Sequence, residues 1–435
     1  MTLFPSLMAG TGLSLALCAA TPAFAQDDPV IVVTGSGLEE TPAAPAYDTQ
    51  VIDRDQLVSV PSGRIEDALS AVAGFQQFRR SDSRSANASA QGATLRALGG
   101  NATSRALVLL DGVPMSDPFF GYIPFSAIAP ERLAQVRVTR GGGSGPFGAG
   151  ALAGTIELES AGIDTLGGFT GQALANDRGE TELSASTGAQ LGSGFVVASG
   201  RWDRGKGFFT TPEADRVPLS ARAAFDGWSA QVRGVAPVSG DVELQVRGLA
   251  YRDERTLRFE GADSTIEGQD ASVRLVGRGA WAFDALAYIQ ARNFTNIVVS
   301  SSRFVPVLDQ RNTPATGLGG KFELRPPVGD AHVLRLGVDY RNAQGELFET
   351  AISAFSGNVT ARRQAGGTNT DLGFFIEDDW TLGAMVLTAG ARLDRWTIRD
   401  GFYRERDAAG ALQIDAGYPD RSGWDASFRG CLLYT

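Results

Sequence analysis

Gly143, Gly145 and Gly148 stand at the spacing G-x-G-x-x-G behind an apolar run, the pattern with which a turn cradles a dinucleotide pyrophosphate. That chemistry needs a helix opening at the glycines, so that its N-terminal N–H groups face the phosphates. Pro146 and the β-type run 155–158 deny the helix, and a glycine-dense turn is the better account. Other reactive residue types are scarce. The single histidine, His332, shares a face with Leu334 and Leu336, which places it on a lipid side or at a rim. Of the two cysteines, Cys18 falls within a leader, so Cys431 alone supports neither a disulfide nor a cysteine metal site within one chain. Asn87-Ala88-Ser89 and Asn101-Ala102-Thr103 match a glycosylation sequon that is frequent by chance. No paired carboxylates, Ser-His or Cys-His arrangement stands out, so neither catalysis, metal nor cofactor is expected.

The chemistry that does stand out is that of association. Val30, Ile31, Val32, Val33 and Thr34 form a β-branched run followed by Gly- and Pro-rich sequence up to Pro45, which cannot bury it locally. It reads either as an edge strand of the next domain or as an extended segment offered to another protein's sheet edge. Upstream, an apolar stretch at 13–20 and Ala23-Phe24-Ala25 have the form of a secretory signal over residues 1–25, although its first part lacks Lys and Arg. A core helix is the alternative. No later apolar run approaches the ~18 residues of a transmembrane helix.

The rest of the chain supplies the elements that position these features. Residues 51–52 read as a short strand, and Ser62 as the cap of a helix carrying Ile65, Leu69 and Val72 at helical spacing, ended by Gly74. Residues 79–94, rich in Ser and Ala, read as a mobile loop. Two apolar strands, 106–110 and 136–139, are followed by turns. After the first, Asp111, Gly112 and Pro114 make a rigid turn out of the sheet; after the second comes the glycine cluster from Gly141 through Gly145 to Gly148. A third strand at 155–158 completes a compact α+β element.

Beyond about residue 165 the texture changes to alternating segments of roughly ten residues. Val242, Leu244 and Val246 oppose Glu243, Gln245 and Arg247; the run 272–283 sets Val273, Leu275, Trp281 and Phe283 against Ser272, Arg274 and Arg278. Leu334, Leu336 and Val338 oppose Arg335 and Asp339, and Leu387, Ala389 and Ala391 oppose Thr388 and Arg392. A soluble sandwich alternates too, but charge opposite lipid-type residues favours a barrel with a wet interior. The 54 glycines suit short strands and tight turns, and a net charge of −10 argues against nucleic acid, which demands clustered Lys and Arg.

In these residues the chain resembles the TonB-dependent outer-membrane receptors of Gram-negative bacteria. Residues 28–35 look like a TonB box, and IEDALSAVAGF at 65–75 like the first plug helix. RALVLLDGVP at 105–114 and VRVTRGGGSGPFGAGALAGTIE at 136–157 resemble the most recognisable plug segments. FFIEDDW with LTAGARLDRW, at 374–380 and 387–396, looks like a barrel hairpin. Leu95-Arg96-Ala97 departs from the family, which has Gly after the Arg. The resemblance implies a mainly β fold: an N-terminal α+β plug, residues 46–160, inside a transmembrane antiparallel barrel of about 22 strands. The box and its linker would occupy 26–45. Residues 165–435 suffice for about 11 or 12 strands, roughly half of such a barrel. Because an open edge is not viable in lipid and the ending Cys431-Leu432-Leu433-Tyr434 lacks alternation, a truncated or frame-shifted product is expected. The resemblance further implies uptake of a scarce solute, foremost a ferric siderophore, with cobalamin or an oligosaccharide as alternatives. Its partners would be outer-membrane lipid and a TonB-type periplasmic energy-coupling protein. A passive porin-type channel and a surface interaction receptor are the competing classes. Haem receptors of this kind use histidine ligands, which nothing in this stretch supports, and the ligand-binding residues are not readable.

Overall fold

The computed structural model describes residues 33–79, 83–96, 98–141, 148 and 150–434. The signal-like leader, Val30, Ile31, Val32 and Gly145 lie outside the described residues. The described residues form a small mixed sheet with short helices and a large antiparallel sheet that packs against it.

The small sheet holds β1 (Asp48–Asp53), β4 (Ala106–Leu110), β5 (Val113–Pro114), β6 (Leu133–Arg140) and β7 (Gly154–Ser160), in the order β1-β6-β7-β4-β5. A separate ribbon pairs β2 (Gln76–Gln77) with β3 (Ala93–Thr94). Only β4 and β7 run parallel. Every residue of β4 is buried, which is why its sequence shows no alternation. One face of the sheet (Ile52, Val108, Val136, Ile156) closes a core with Leu57 of α1 (Arg54–Val58) and Ile65 and Leu69 of α2 (Ile65–Leu69). Each such side chain contributes about 1.5–3 kcal/mol on burial. The opposite face carries Thr49, Arg137, Thr139 and Glu157, and is polar.

Three local expectations are corrected. Helix α2 stops at Leu69, not at Gly74; Val72 is still buried, but in a series of turns that ends with Gly74 at φ +84°. Pro114 does not leave the sheet. Asp111 (φ +49°) and Gly112 (φ +87°) form a two-residue hairpin that returns the chain to pair Pro114 with Leu109. A proline is tolerated there because β5 is the sheet's edge. Within the 79–94 loop, Ala86, Ala88, Ala90 and Gln91 are buried, and Arg255 of the large sheet donates to Ser83 O and, at 3.0 Å, to Ala86 O. The described part of that loop is therefore fastened rather than mobile.

The large sheet begins after α3 (Ile163–Leu166) and runs β8 (Gly168–Ala175), β9 (Thr181–Leu191), β10 (Gly194–Gly205), β11 (Ala224–Ser239), β12 (Val242–Thr256), β13 (Asp263–Gly277) and β14 (Ala282–Val299). It continues with β15 (Pro306–Asn312), β16 (Ala315–Arg325), β17 (His332–Ile352), β18 (Val359–Leu382), β19 (Met385–Asp407), β20 (Leu412–Gly417) and β21 (Arg421–Tyr434). β15 and β16 share the same two neighbours, β14 and β17, and β20 and β21 both pair β19; fourteen segments thus make twelve passes. The 374–380 and 387–396 motifs form one hairpin, with Trp380 opposite Leu387.

Inward residues are buried (Glu243, Gln245, Arg247) and their neighbours exposed (Val246, Val273), as an apolar outer face demands. The run 272–283 is not one strand: β13 ends at Gly277, Arg278 to Trp281 make the turn, and Phe283 belongs to β14. Strands β17 to β19 are 21–24 residues long, about twice what a bilayer crossing needs, so they project beyond it. One end of the wall is closed by tight turns (192–193, 240–241, 383–384), while the other carries longer connections such as 206–223.

Candidate functional site

At the short-turn end the chain entering the plug, residues 33–41, lies as an extended strap against the wall with no strand pairing of its own. Side chains replace the missing ladder. Thr34 N donates to Glu243 Oε2 at 3.0 Å, and Arg233 donates to Gly35 O. Ser36 O accepts from Gln245 Nε2 at 2.8 Å and from Arg278 at 2.9 Å, and Glu39 O accepts from Arg325 at 2.7 Å. Arg278 also reaches Thr34 Oγ1 (3.2 Å) and Gly37 O (3.4 Å), while pairing with Glu243 at 3.4 Å. Two glycines make the fit possible. A Cβ on Gly35, which sits at φ +69°, would lie 2.6 Å from the Arg233 guanidinium, and one on Gly37 would lie 2.5 Å from that of Arg274.

The same cradle grips the plug proper. Arg233 donates to Ser160 O at 3.2 Å, so one guanidinium ties the strap to the last plug strand. The Asp111 carboxylate accepts from Ser160 N (2.9 Å), Ser160 Oγ (2.7 Å) and Arg247 (3.2 Å), and Arg247 also donates to Leu110 O at 2.7 Å. Burial alone would raise the Asp111 pKa, but Arg233 and Arg247 outweigh it and hold the carboxyl below its ordinary value. Next to the strap, Tyr47 donates to both oxygens of Glu377 at 2.9 Å, and burial with that carboxylate raises the phenol's pKa. The glycine-rich turn approaches the wall at Gly148 (φ +89°), where a Cβ would stand 2.8 Å from Arg341.

Between the polar face of the plug sheet and strands β13 to β17 lies a cavity of about 980 Å³, floored by the strap and lined by Arg137, Glu157, Arg274, Lys321 and Glu323. Burial raises the Glu157 pKa against the pull of Arg137. Charged side chains line this space, and it is bounded on one side by a segment held through side chains.

Of the segment read as a partner-seeking strand, Val33 and Thr34 are described, and neither is in a strand. Val33 is half-buried against a cluster formed by Ala161, Leu166, Phe195, Val197 and Val235. Asp111 meets Ser160 and Arg247, while Gly112 faces Leu286 and Pro114 O accepts from Gln290 at 2.7 Å; Gly141 (φ +130°) follows the end of β6, and Gly148 meets a different part of the wall at Arg341. His332 sits at the short-turn end of the wall, its Nδ1 2.8 Å from Asp378 and its ring stacked on Trp380. The residues that sequence reasoning passed over are Arg233, Arg325 and the roles of Gln245 and Arg278. Of these, the inward register of Gln245 was visible in the alternation, but the partners of all four were not.

A mixed plug sheet held inside an antiparallel wall defines a plugged β-barrel. Residues 41–155 match the TonB-dependent Receptor Plug Domain and residues 160–435 the TonB dependent receptor-like beta-barrel, and the chain belongs to the TonB-dependent receptors. It is similar to the vitamin B12 transporter BtuB of Vibrio vulnificus (strain CMCP6), 25% identical over 414 residues that make up 93% of this chain and 64% of that relative. Its fold is shared with the copper transporter OprC (TM-score 0.68, 18% identity, 92% of this chain and 61% of that one). The ferric yersiniabactin uptake receptor FyuA of Yersinia pestis gives a TM-score of 0.66 at 13% identity, covering 90% and 62%. The chain thus spans under two thirds of the length of these relatives.

Proposed function

We propose that this chain supplies the plug and a large part of the wall of an outer-membrane importer that takes up a scarce solute and does no chemistry on it. The solute binds at the long-loop end, and short turns mark the periplasmic end, as in other outer-membrane barrels. A TonB-type periplasmic protein pairs with Val30, Ile31, Val32, Val33 and Thr34 and pulls. A ferric siderophore is the cargo the family resemblance puts first, and cobalamin or an oligosaccharide would travel by the same mechanism. The leader at 1–25 delivers the chain to the outer membrane of a Gram-negative cell.

The observation that carries the reading is the strap. Thr34, Gly35, Ser36 and Glu39 are each tied to the wall by one or two side-chain bonds strung along the chain. A passive porin-type channel gains nothing from a lumen filled by a plug with a leash held in this way. Deleting residues 30–33 in the full-length gene is expected to abolish uptake and leave solute binding intact. Uptake that survives the deletion refutes coupling through this segment.

A further inference from the structure

At the long-loop end a chain of inward side chains runs round the wall above the plug. Asn87 of the plug donates to Asn296 Oδ1 of β14 at 3.0 Å, and Asn296 donates to Gln310 of β15 at 2.9 Å. Gln310 donates to Glu349 of β17 at 2.9 Å. Arg363 of β18 stands opposite Glu349 in the register and donates to Glu405 of β19 at 2.9 Å; Tyr403 donates to the same carboxylate at 2.6 Å. That these positions face the lumen follows from their strands: Arg292 and Phe294 are buried inward four and two residues before Asn296, and Gly345 receives Phe119 of the plug four residues before Glu349.

Two properties of this belt select a ligand. First, five of its seven side chains are amides, a phenol or an arginine already engaged, so it offers hydrogen bonds of both senses without a free positive charge. Its one cation, Arg363, lies between two carboxylates, which leaves the belt with one net negative charge. Second, the plug beneath it presents Phe119 and Phe120, half-buried, edge-to-face at 5.1 Å and supported by Phe294 at 5.4 Å. An apolar floor under a few placed polar groups is the usual composition of a small-molecule site.

We infer that the Asn87–Tyr403 belt with its Phe119–Phe120 floor is a binding surface for an uncharged solute dense in hydroxyl or amide groups, and that it disfavours polyanionic chelates. This rests on the import reading only for the premise that solute enters at this end. A neutral hydroxamate-type iron chelate, a corrinoid and an oligosaccharide share that chemistry.

The test is titration of the purified full-length protein in detergent, with no coupling partner present. The probes are a neutral cyclic ferric trihydroxamate, cyanocobalamin, maltohexaose and a triply anionic ferric tris-catecholate. One of the three uncharged probes should bind, its identity naming the source, with the tris-catecholate weaker by about a hundredfold or more. Gln310→Ala and Asn296→Ala should each weaken that probe by about five- to tenfold at an unchanged melting temperature. The near-isosteric pair Glu349→Gln and Glu405→Gln should narrow the discrimination against the tris-catecholate. Binding of the tris-catecholate as tightly as any neutral probe, failure of all three neutral probes, or indifference of binding to these variants overturns the inference. Loss of uptake in cells with binding intact would count instead against the coupling reading.

Discussion

Replacing Arg278 by alanine isolates the strap from the plug. This side chain donates to Ser36 O at 2.9 Å and, at longer range, to Thr34 Oγ1 and Gly37 O, yet makes no bond to the plug sheet. Its loss removes one good charge-assisted bond and two weak ones. A bond of this kind between buried groups is worth about 1.5–3 kcal/mol, but the guanidinium is 31% exposed, so solvent screening reduces the total to about 1–2 kcal/mol. That raises the detached population of the strap roughly five- to thirtyfold. Hydrogen exchange of a peptide covering residues 33–41 reads it directly, because Thr34 N is protected by Glu243 Oε2 and every released amide exchanges faster. Exchange across the β6–β7 pairing should stay as in the parent. Arg252→Ala, which removes an exposed arginine paired with Glu254 and Glu267, serves as a control with no effect on the strap. Unchanged protection of residues 33–41 in the Arg278 variant would refute the view that the wall, rather than the strap's own conformation, holds this segment.

Three further outcomes follow from the same contacts. Gly35→Val forces a left-handed backbone and drives its Cβ into Arg233, so strap exchange should exceed that of the Arg278 variant. Asp111→Asn leaves buried Arg247 without its counter-charge and should cost about 3 kcal/mol in detergent-state unfolding. Because the folded Asp111 pKa is depressed, its contribution is present above the ordinary carboxylate value of 3.8 and is lost as pH falls from there through the folded value. The asparagine variant should lack that part of the acid dependence, and equal slopes in both proteins would contradict it. A Thr49→Cys, Thr139→Cys pair in a Cys431→Ser background should form a disulfide, since the two hydroxyls meet at 3.0 Å across β1 and β6. Uptake should stop with binding intact and return on reduction; import through the closed disulfide would show that β1 need not separate.

What the sequence disclosed and what it withheld divide along contact range. Strand β4 is legible because all five residues are buried, and the wall because inward charge and outward Val or Leu alternate at every second position. The Asp111-Gly112 turn was equally plain, yet its role was not: Pro114 reads as an exit until the sheet order shows it at an edge. Arg278 reads as a strand residue because the alternation runs on through the four-residue turn 278–281 to Phe283. The strap was the least legible. A β-branched run announces a strand, but Thr34 and Ser36 are held by Glu243 and Gln245, each 209 residues away, and nothing in local propensity records such partners.

The order of these ties bears on how a pull at residue 33 would be transmitted. The contacts at Thr34, Gly35, Ser36 and Glu39 follow one another along the chain, so tension loads them in turn rather than together. Peeling meets one bond's resistance at a time, whereas the plug's ties through Arg247, Arg132 and Gln290 to Leu110, Ser229 and Pro114 lie in parallel round the wall and resist as a set. Beyond the strap come a short 3-10 turn, Ala44–Ala46, then Tyr47 with its tie to Glu377, and then β1, an edge strand paired in the sheet only with β6. Its polar face borders the 980 Å³ cavity. A force too weak to dislodge the plug would therefore strip the strap first, then the Tyr47–Glu377 tie and β1, and the space they vacate adjoins the cavity between plug and wall.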